Sequence, residues 1–260
     1  EVPYNALEQK LQDFNQLKSQ FFNKKRKKQI GRPKFKSKRD SVQSFRLSSN
    51  GFSIKNGNLY LGKRIGKISI RGSSKLEDLS NVTSVTISKK STGKYFVSVC
   101  YKSFKKEKVK TGKSIGIDLG LTHFIIDSQG DKVENPRFLK QGLDKLKKAQ
   151  QSLSRKIKGS KRREKARIKV SKLHEKISNQ RNHFLHQVSN ELIEKFDKIY
   201  VEDLNVQGMI KNKKLSRSIS DVSWSKFVSM LEYKADWYGK SVYKINRFFA
   251  SSKTCSECGF

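Results

Sequence analysis

Two acidic residues stand in stretches that otherwise read as apolar β-strands: Asp118 in Ser114-Ile115-Gly116-Ile117-Asp118-Leu119-Gly120, and Glu202 in Lys198-Ile199-Tyr200-Val201-Glu202-Asp203-Leu204. A carboxylate in a strand that should bury is costly unless a cation compensates it. A divalent metal does so, and Mg²⁺ favours a few carboxylates together with water and phosphate oxygens. Two such groups on neighbouring strands can clamp two ions about 4 Å apart, which stabilises the attacking and leaving oxygens of phosphodiester cleavage. Gly116 and Gly120 would let a nucleic-acid backbone approach closely. Taken singly, each acid reads as well as a strand-end turn or cap residue. As a pair in this context they read as a metal site.

A second constellation is Cys255-Ser256-Glu257-Cys258-Gly259, a C-x2-C-G knuckle. Structural zinc is normally held by two such pairs, so Cys255 and Cys258 read as half of a zinc ribbon. A lone C-x2-C can also be redox-active, but no thioredoxin-like context surrounds this one. Cys100, in the strand-like FVSVCYK, reads as an ordinary core residue. His183 and His186 are three apart on a helical stretch, with no third ligand beside them. No Gly-rich phosphate loop and no Ser/His/Asp arrangement is legible.

The elements that must position these groups change character along the chain. Residues 3–22 carry Leu7, Leu11, Phe14 (or Leu17) and Phe21 at roughly helical spacing, followed by a basic run from Lys24 to Lys28 and then Gly31-Arg32-Pro33-Lys34-Phe35-Lys36. From Ser44 to Phe104 short alternating strands follow, punctuated by Asn56-Gly57 and Thr92-Gly93, and they predict a small β-barrel or sandwich with many outward cations, Arg46 among them. From Lys113 onward strands alternate with helices, an α/β pattern. Leu139, Leu143, Leu146, Leu153 and Ile157 mark one apolar helical stripe. Ala166, Val170, Leu173, Ile177, Phe184, Val188, Leu192 and Phe196 mark a second after Gly159-Ser160. Between Lys140 and Lys195 there are 17 Lys and Arg against 5 Asp and Glu, poor material for ion pairs within a helix. One face of this hairpin, with Lys161, Arg162, Arg163 and Arg167, is therefore expected to meet phosphates. A helix over 221–239 and a strand over 241–249 complete the pattern.

Composition agrees: 58 Lys and Arg against 23 Asp and Glu leave a formal charge of +35 in 260 residues. Such an excess repels itself unless a polyanion neutralises it, and nucleic acid is the natural partner. A ribosomal-type basic protein or a membrane-surface binder would share the charge, though cations spread over strands and helices disfavour membrane anchoring. No apolar run approaches the ~20 residues that span a bilayer. Three cysteines make no disulfide framework, and a reducing cytoplasm is expected.

In combination SIGIDLGLTHFII, KIYVEDLNVQGMIKN, the long segment from LSRSISD to KTCSECG, and GRPKFKSKRDSVQSFRL resemble TnpB, a family of insertion-sequence proteins described as probable transposases and related to compact type V CRISPR effectors. The resemblance covers nearly the whole chain. It implies an RNA-guided DNA endonuclease with a guide RNA derived from the element's end, a double-stranded DNA target and no small-molecule substrate. Base pairing then reads sequence while protein reads backbone and shape. It also implies that Asp118 and Glu202 are the first two of three RuvC carboxylates holding Mg²⁺, and that Cys255 and Cys258 open the Zn²⁺-bearing target-nucleic-acid-binding domain. The third carboxylate is expected beyond Phe260, so the chain reads as truncated at both ends. The expected organisation is residues 1–25 as the end of a helical recognition lobe and 26–112 as a wedge-like β-barrel. Residues 113–250 form an RNase H-like nuclease domain with a helical insertion at 139–196, and 251–260 begin a zinc ribbon. Two rivals remain: a nuclease-inactive RNA-guided DNA-binding regulator, and a generic basic RNA-binding protein. The second explains the charge but neither the strand-borne acids nor the cysteine knuckle.

Overall fold

The computed structural model describes residues 3–23, 30–34, 37, 42–72, 81–104 and 107–246. The chain divides into two compact units, Glu1–Phe104 and Lys105–Phe260.

In the first unit helix α1 (Tyr4–Phe22) precedes strands β1 (Val42–Ser48), β2 (Ser53–Lys55) and β3 (Asn58–Tyr60). A single helical turn, α2 (Gly62–Ile65), then leads to β4 (Lys67–Ser69), β5 (Val82–Lys90) and β6 (Tyr95–Tyr101). The hairpins form where turn chemistry asks for them. Asn56 and Gly57 both take positive φ (47° and 66°), the two-residue turn that matches strand twist. Gly93 (φ 81°) donates its N–H to Lys90 O at 2.9 Å between β5 and β6.

The expected barrel is not what these strands build. They form two open three-stranded sheets, β1-β5-β6 and β2-β3-β4, around a core that includes Leu47, Leu59, Leu61, Val85 and Ile87. Closing a barrel needs tilted strands long enough to carry the ladder from one sheet to the next. β2, β3 and β4 have three residues each.

Two further expectations reverse here. Cys100 is exposed: Val97 and Val99 pack on the core, and the period-2 alternation of β6 turns Cys100 outward. Leu7, Leu11, Phe14 and Phe21, whose spacing reveals α1, are all exposed, while the helix buries Ala6 and Gln9. Asn5 Nδ2 donates to Ser48 Oγ (2.8 Å), and Arg46 pairs with Asp13 (2.9 Å), fastening α1 to β1.

The second unit is built on one five-stranded sheet. Its elements are β7 (Ser114–Leu119), β8 (His123–Asp127), β9 (Lys132–Glu134), α3 (Phe138–Ser154), α4 (Lys161–Lys195), β10 (Lys198–Glu202), α5 (Val206–Ile210), α6 (Ser216–Val222), α7 (Trp224–Tyr238) and β11 (Ser241–Ile245). The sheet order is β11-β10-β7-β8-β9; β10 runs parallel to β7 and β11, and β8 runs antiparallel to both its neighbours. The α3–α4 hairpin connects β9 to β10. Ser160 caps α4 by accepting from Arg163 N at 3.1 Å, with Glu164 in the first turn and Lys195 in the last, each sign favourable to the helix dipole.

The core lies between one sheet face and α4 and α7, with Ile115, Ile117, Leu119, Ile199 and Val201 meeting Leu185, Ile193, Phe227 and Leu231. The β8–β9 register shifts between His123 and Ile125, so consecutive residues Phe124 and Ile125 are both buried. Phe124 meets Phe184 and Phe227 edge-on, with ring centroids 5.0 and 4.9 Å apart.

Two lysines are buried among the described residues, Lys234 and Lys240. Lys234 of α7 is 5 % exposed, and its Nζ donates to Ser189 Oγ (2.7 Å) and His186 O (3.1 Å). Burial holds its pKa below the ordinary lysine value. Burial, then Lys234, Lys226 and His183, likewise depress His186.

β9, α5 and α6 have no counterpart in the sequence pattern, and the helix expected over 221–239 starts at Trp224. Ser223, in the left-handed region (φ 59°), separates it from α6.

Candidate active site

Strand alternation decides where the two acids point. In β7, Ile115, Ile117 and Leu119 face the core, which sends Gly116 and Asp118 to the opposite face. In β10, Ile199 and Val201 face the core, which sends Tyr200 and Glu202 to that same face. The parallel register sets Tyr200 beside Gly116 and Val201 beside Ile117, so Glu202 is the next position along, level with Asp118. Neighbouring strands lie about 4.8 Å apart, and both acids sit at the carboxyl ends of their strands.

The two acids are less buried than their apolar neighbours predict. The strands are buried on one face only; Asp118 is exposed and Glu202 half-buried. Neither acid has a protein cation beside it, a property they share among the described residues with Glu8, Asp131, Asp144 and Glu191. Asp13, Glu164, Asp221, Asp197, Glu194 and Glu232 each have a Lys or Arg within 4 Å. Among the described residues neither Asp118 nor Glu202 has an ion pair or side-chain hydrogen bond, although 58 Lys and Arg are present in the chain. The two carboxylates therefore offer hard oxygen donors on one accessible face, which fits a divalent cation of the Mg²⁺ type. Among the described residues no group of three or more His, Cys, Asp or Glu side chains comes together.

Around Glu202 lies a cavity of about 250 Å³ that also touches Trp224, Ser225, Ser229, Glu232 and Lys244. Lys244 spends its charge on Glu232 at 2.6 Å. The end of β10 is tied to β11 through Asp203 N, which donates to Ile245 O at 3.1 Å. Two positions before Glu202, Tyr200 stacks on Tyr243 of β11, with centroids 5.1 Å apart and planes 20° from parallel, both rings exposed. That is a ready surface for a nucleobase beside the carboxylates. Ser225, Ser229 and Glu232 are not among the residues singled out from sequence, though their spacing of four and three residues marks one polar helical stripe.

The remaining expected site residues are not gathered here. Arg32 and Lys34 are exposed in a stretch without regular structure, while Phe35, Lys36, Cys255 and Cys258 lie outside the described residues. Arg46 is committed to Asp13. At the start of α4 the four cations divide. Arg163 Nη1 donates to Leu153 O (3.0 Å) and Lys156 O (2.8 Å), closing the end of α3. Arg167 makes a two-point contact with Glu164 (2.8 and 2.6 Å), which lowers the Glu164 pKa and raises that of Arg167. Lys161 and Arg162 are exposed, with no ion pair among the described residues.

Two family models match the chain: one described as "Probable transposase" over residues 98–213, and one described as "Cas12f1-like, TNB domain" over 224–260. A protein of Streptomyces pristinaespiralis named "Putative RNA-guided DNA endonuclease" is 38 % identical over 259 residues, covering 100 % of this chain and 63 % of its own length. Escherichia coli K12 has a "Putative RNA-guided DNA endonuclease InsQ", 29 % identical over 274 residues, covering 99 % of this chain and 66 % of its own. The chain thus spans less than two thirds of the length of these curated relatives. Among solved structures, a cryo-EM complex of Cas12f1 with sgRNA and target DNA aligns with a TM-score of 0.48 and 14 % identity, covering 84 % of this chain and 52 % of the other.

Proposed function

We propose that this chain is a member of the TnpB family, part of an RNA-guided DNA endonuclease, and that it carries two carboxylates of the nuclease centre. The observation that carries the reading is the same-face, adjacent-strand placement of Asp118 and Glu202, free of protein cations among the described residues. The sheet, with β7 central, only β8 reversed and helical crossovers leading to β10 and β11, is read as the RNase H-like sheet of a RuvC domain.

A divalent ion held by Asp118 and Glu202, Mg²⁺ in our reading, supplies water activation and charge neutralisation at the scissile phosphate. The protein's own part is positioning. The open sheet face admits a strand, Gly116 leaves room beside the acids, and the Tyr200–Tyr243 pair offers a stacking surface. Lys161 and Arg162 on the hairpin, with Arg32 and Lys34, supply phosphate contacts to guide RNA and DNA. Residues 26–112 serve as the wedge and 1–25 as the end of the recognition lobe. Cys255 and Cys258, within the segment matched by the TNB model, serve as half of a zinc ribbon. We place the protein in the cytoplasm with its DNA target; no described helix is long and apolar enough to cross a membrane.

A second reading, an RNA-guided DNA-binding regulator that does not cut, is favoured by one observation: among the described residues no group of three or more His, Cys, Asp or Glu side chains comes together to hold a metal. Cleavage of labelled duplex DNA by the full-length protein bound to its co-expressed RNA separates the two. Mg²⁺-dependent cutting that disappears in Asp118→Ala and in Glu202→Ala supports the nuclease. Tight, RNA-dependent DNA binding without cutting would leave the regulator.

A further inference from the structure

A cavity of about 480 Å³ opens beside the turn that joins β7 to β8, and neither the carboxylate pair nor the hairpin cations account for it. Three cations line it: Arg137 before α3, Lys140 in the first turn of α3, and Arg217 in α6. None of the three has an ion pair among the described residues. The acid in the wall, Asp221, is already occupied, since it pairs with Arg181 at 2.5 Å and accepts Leu139 N at 3.0 Å. The cavity therefore carries surplus positive charge that nothing internal consumes.

The rest of the wall is partly apolar, with Leu121, Leu139 and Leu143. Its volume falls in the range of sites that enclose a small organic ligand, well beyond what a lone phosphate needs. The loop is also set with care. Arg137 adopts a left-handed conformation (φ 50°), unfavourable for a residue other than glycine. Asn135 fastens it, accepting Arg137 N at 3.1 Å and donating to Leu121 O at 2.8 Å. Leu121 and Thr122 follow Asp118 by three and four residues, so the cavity opens at the same sheet edge as the carboxylates.

We propose that this cavity holds one unstacked nucleotide of the nucleic-acid strand that crosses the two carboxylates, with its phosphate on Arg137, Lys140 and Arg217 and its base against Leu121, Leu139 and Leu143. Apolar and cationic walls at one mouth suit a nucleotide because each half of it needs a different solvent. The inference rests on the nuclease reading only for which strand passes there.

The test measures binding of fluorescein-labelled 12-mer oligothymidine and oligouridine to the full-length protein across a salt series. Arg217→Ala and Lys140→Ala, both at exposed positions, are each expected to weaken binding about tenfold. Together they should flatten the log–log salt slope by about 1.4, at roughly 0.7 per lost contact on a single strand. Leu143→Trp, which fills the cavity without altering charge, should weaken binding about tenfold, with melting temperature confirming its fold. Lys132→Ala at the start of β9 should change nothing. Whichever oligonucleotide is the more sensitive identifies the strand. Leu143→Trp binding like the unaltered protein, or Arg217→Ala and Lys140→Ala weakening it no more than Lys132→Ala, would overturn the proposal. Cleavage by the same variants is scored separately. Cavity-dependent binding without Mg²⁺-dependent cutting would sink the nuclease reading and leave the cavity standing, and intact cutting with cavity-independent binding would do the reverse.

Discussion

Asp118 stands out as a lone acid in an apolar run and Glu202 as the first of two acids that end one, and that much is legible from residue type alone. Their true environment is not, because burial depends on which sheet face the helices cover, and no local pattern states that. Lys234 is invisible in the sequence for the same reason. Its place in WSKFVSMLEYKADWY gives no sign that it lies under α4, held by Ser189 and the His186 carbonyl. The chemistry of a buried lysine yields a prediction. Its folded pKa is lowered, so the unfolded chain keeps the proton to higher pH, and stability rises with pH up to the ordinary value of 10.5. Lys234→Met removes the charge and keeps the volume. Thermal melts should show unchanged stability at pH 7, or a gain of up to about 1 kcal/mol, and a flatter rise between pH 7 and 10 than in the parent. A loss of several kcal/mol at pH 7 would mean the ammonium is needed where it lies.

At the scale of elements, periodicity reveals the long pieces and misses the short ones. The two hairpin helices, the strands with clean alternation and the Asn56-Gly57 turn are all legible. β9, α5 and α6 are not, since three to seven residues carry too little pattern to separate from loop. The barrel expectation fails at three-residue strands whose pairing partners lie within their own sheet. The elements of the second unit meet at Asp221, which joins α6 to Arg181 of α4 and to the first turn of α3. Removing one member of a half-buried pair strands the other. Asp221→Ala should therefore cost about 3 kcal/mol in denaturant unfolding, and Asp221→Asn, which still accepts Leu139 N, should cost less. Equal costs would show that the ion pair rather than the helix cap sets the energy. Ser160→Ala, which deletes the α4 cap, is expected to cost about 1 kcal/mol.

For the whole molecule the dominant fact is +35 formal charges, readable from residue counts alone and consistent with a nucleic-acid partner. Which cations are available is another matter. Arg46, Arg163 and Arg167 are engaged internally, whereas Arg137, Lys140 and Arg217, scattered across the sequence, converge on one cavity. Convergence of that kind comes from topology, which no spacing reveals. With six to ten phosphate contacts, affinity for nucleic acid should fall roughly 10³- to 10⁵-fold between 50 and 200 mM salt, as a filter-binding series would show. A flat salt response would detach the charge from the proposed function. Acid should loosen the second unit near Asp197. Backbone N–H donation from Thr111 is the first cause of its lowered pKa, and Gly112 and Lys240 add to it. A carboxylate with a depressed folded pKa contributes stability above its unfolded value near 3.8, and that stability is lost as pH falls through the folded one.

The nuclease reading stands or falls on Asp118 and Glu202 acting as one cation site. A Mn²⁺ titration of the protein, followed by the loss of the free-ion electron paramagnetic signal, addresses this without waiting for a guide or a target. Saturable binding is expected, abolished in Asp118→Asn and equally in Glu202→Gln, with both variants melting like the parent. Binding that survives either substitution unchanged would mean that the two carboxylates do not share an ion.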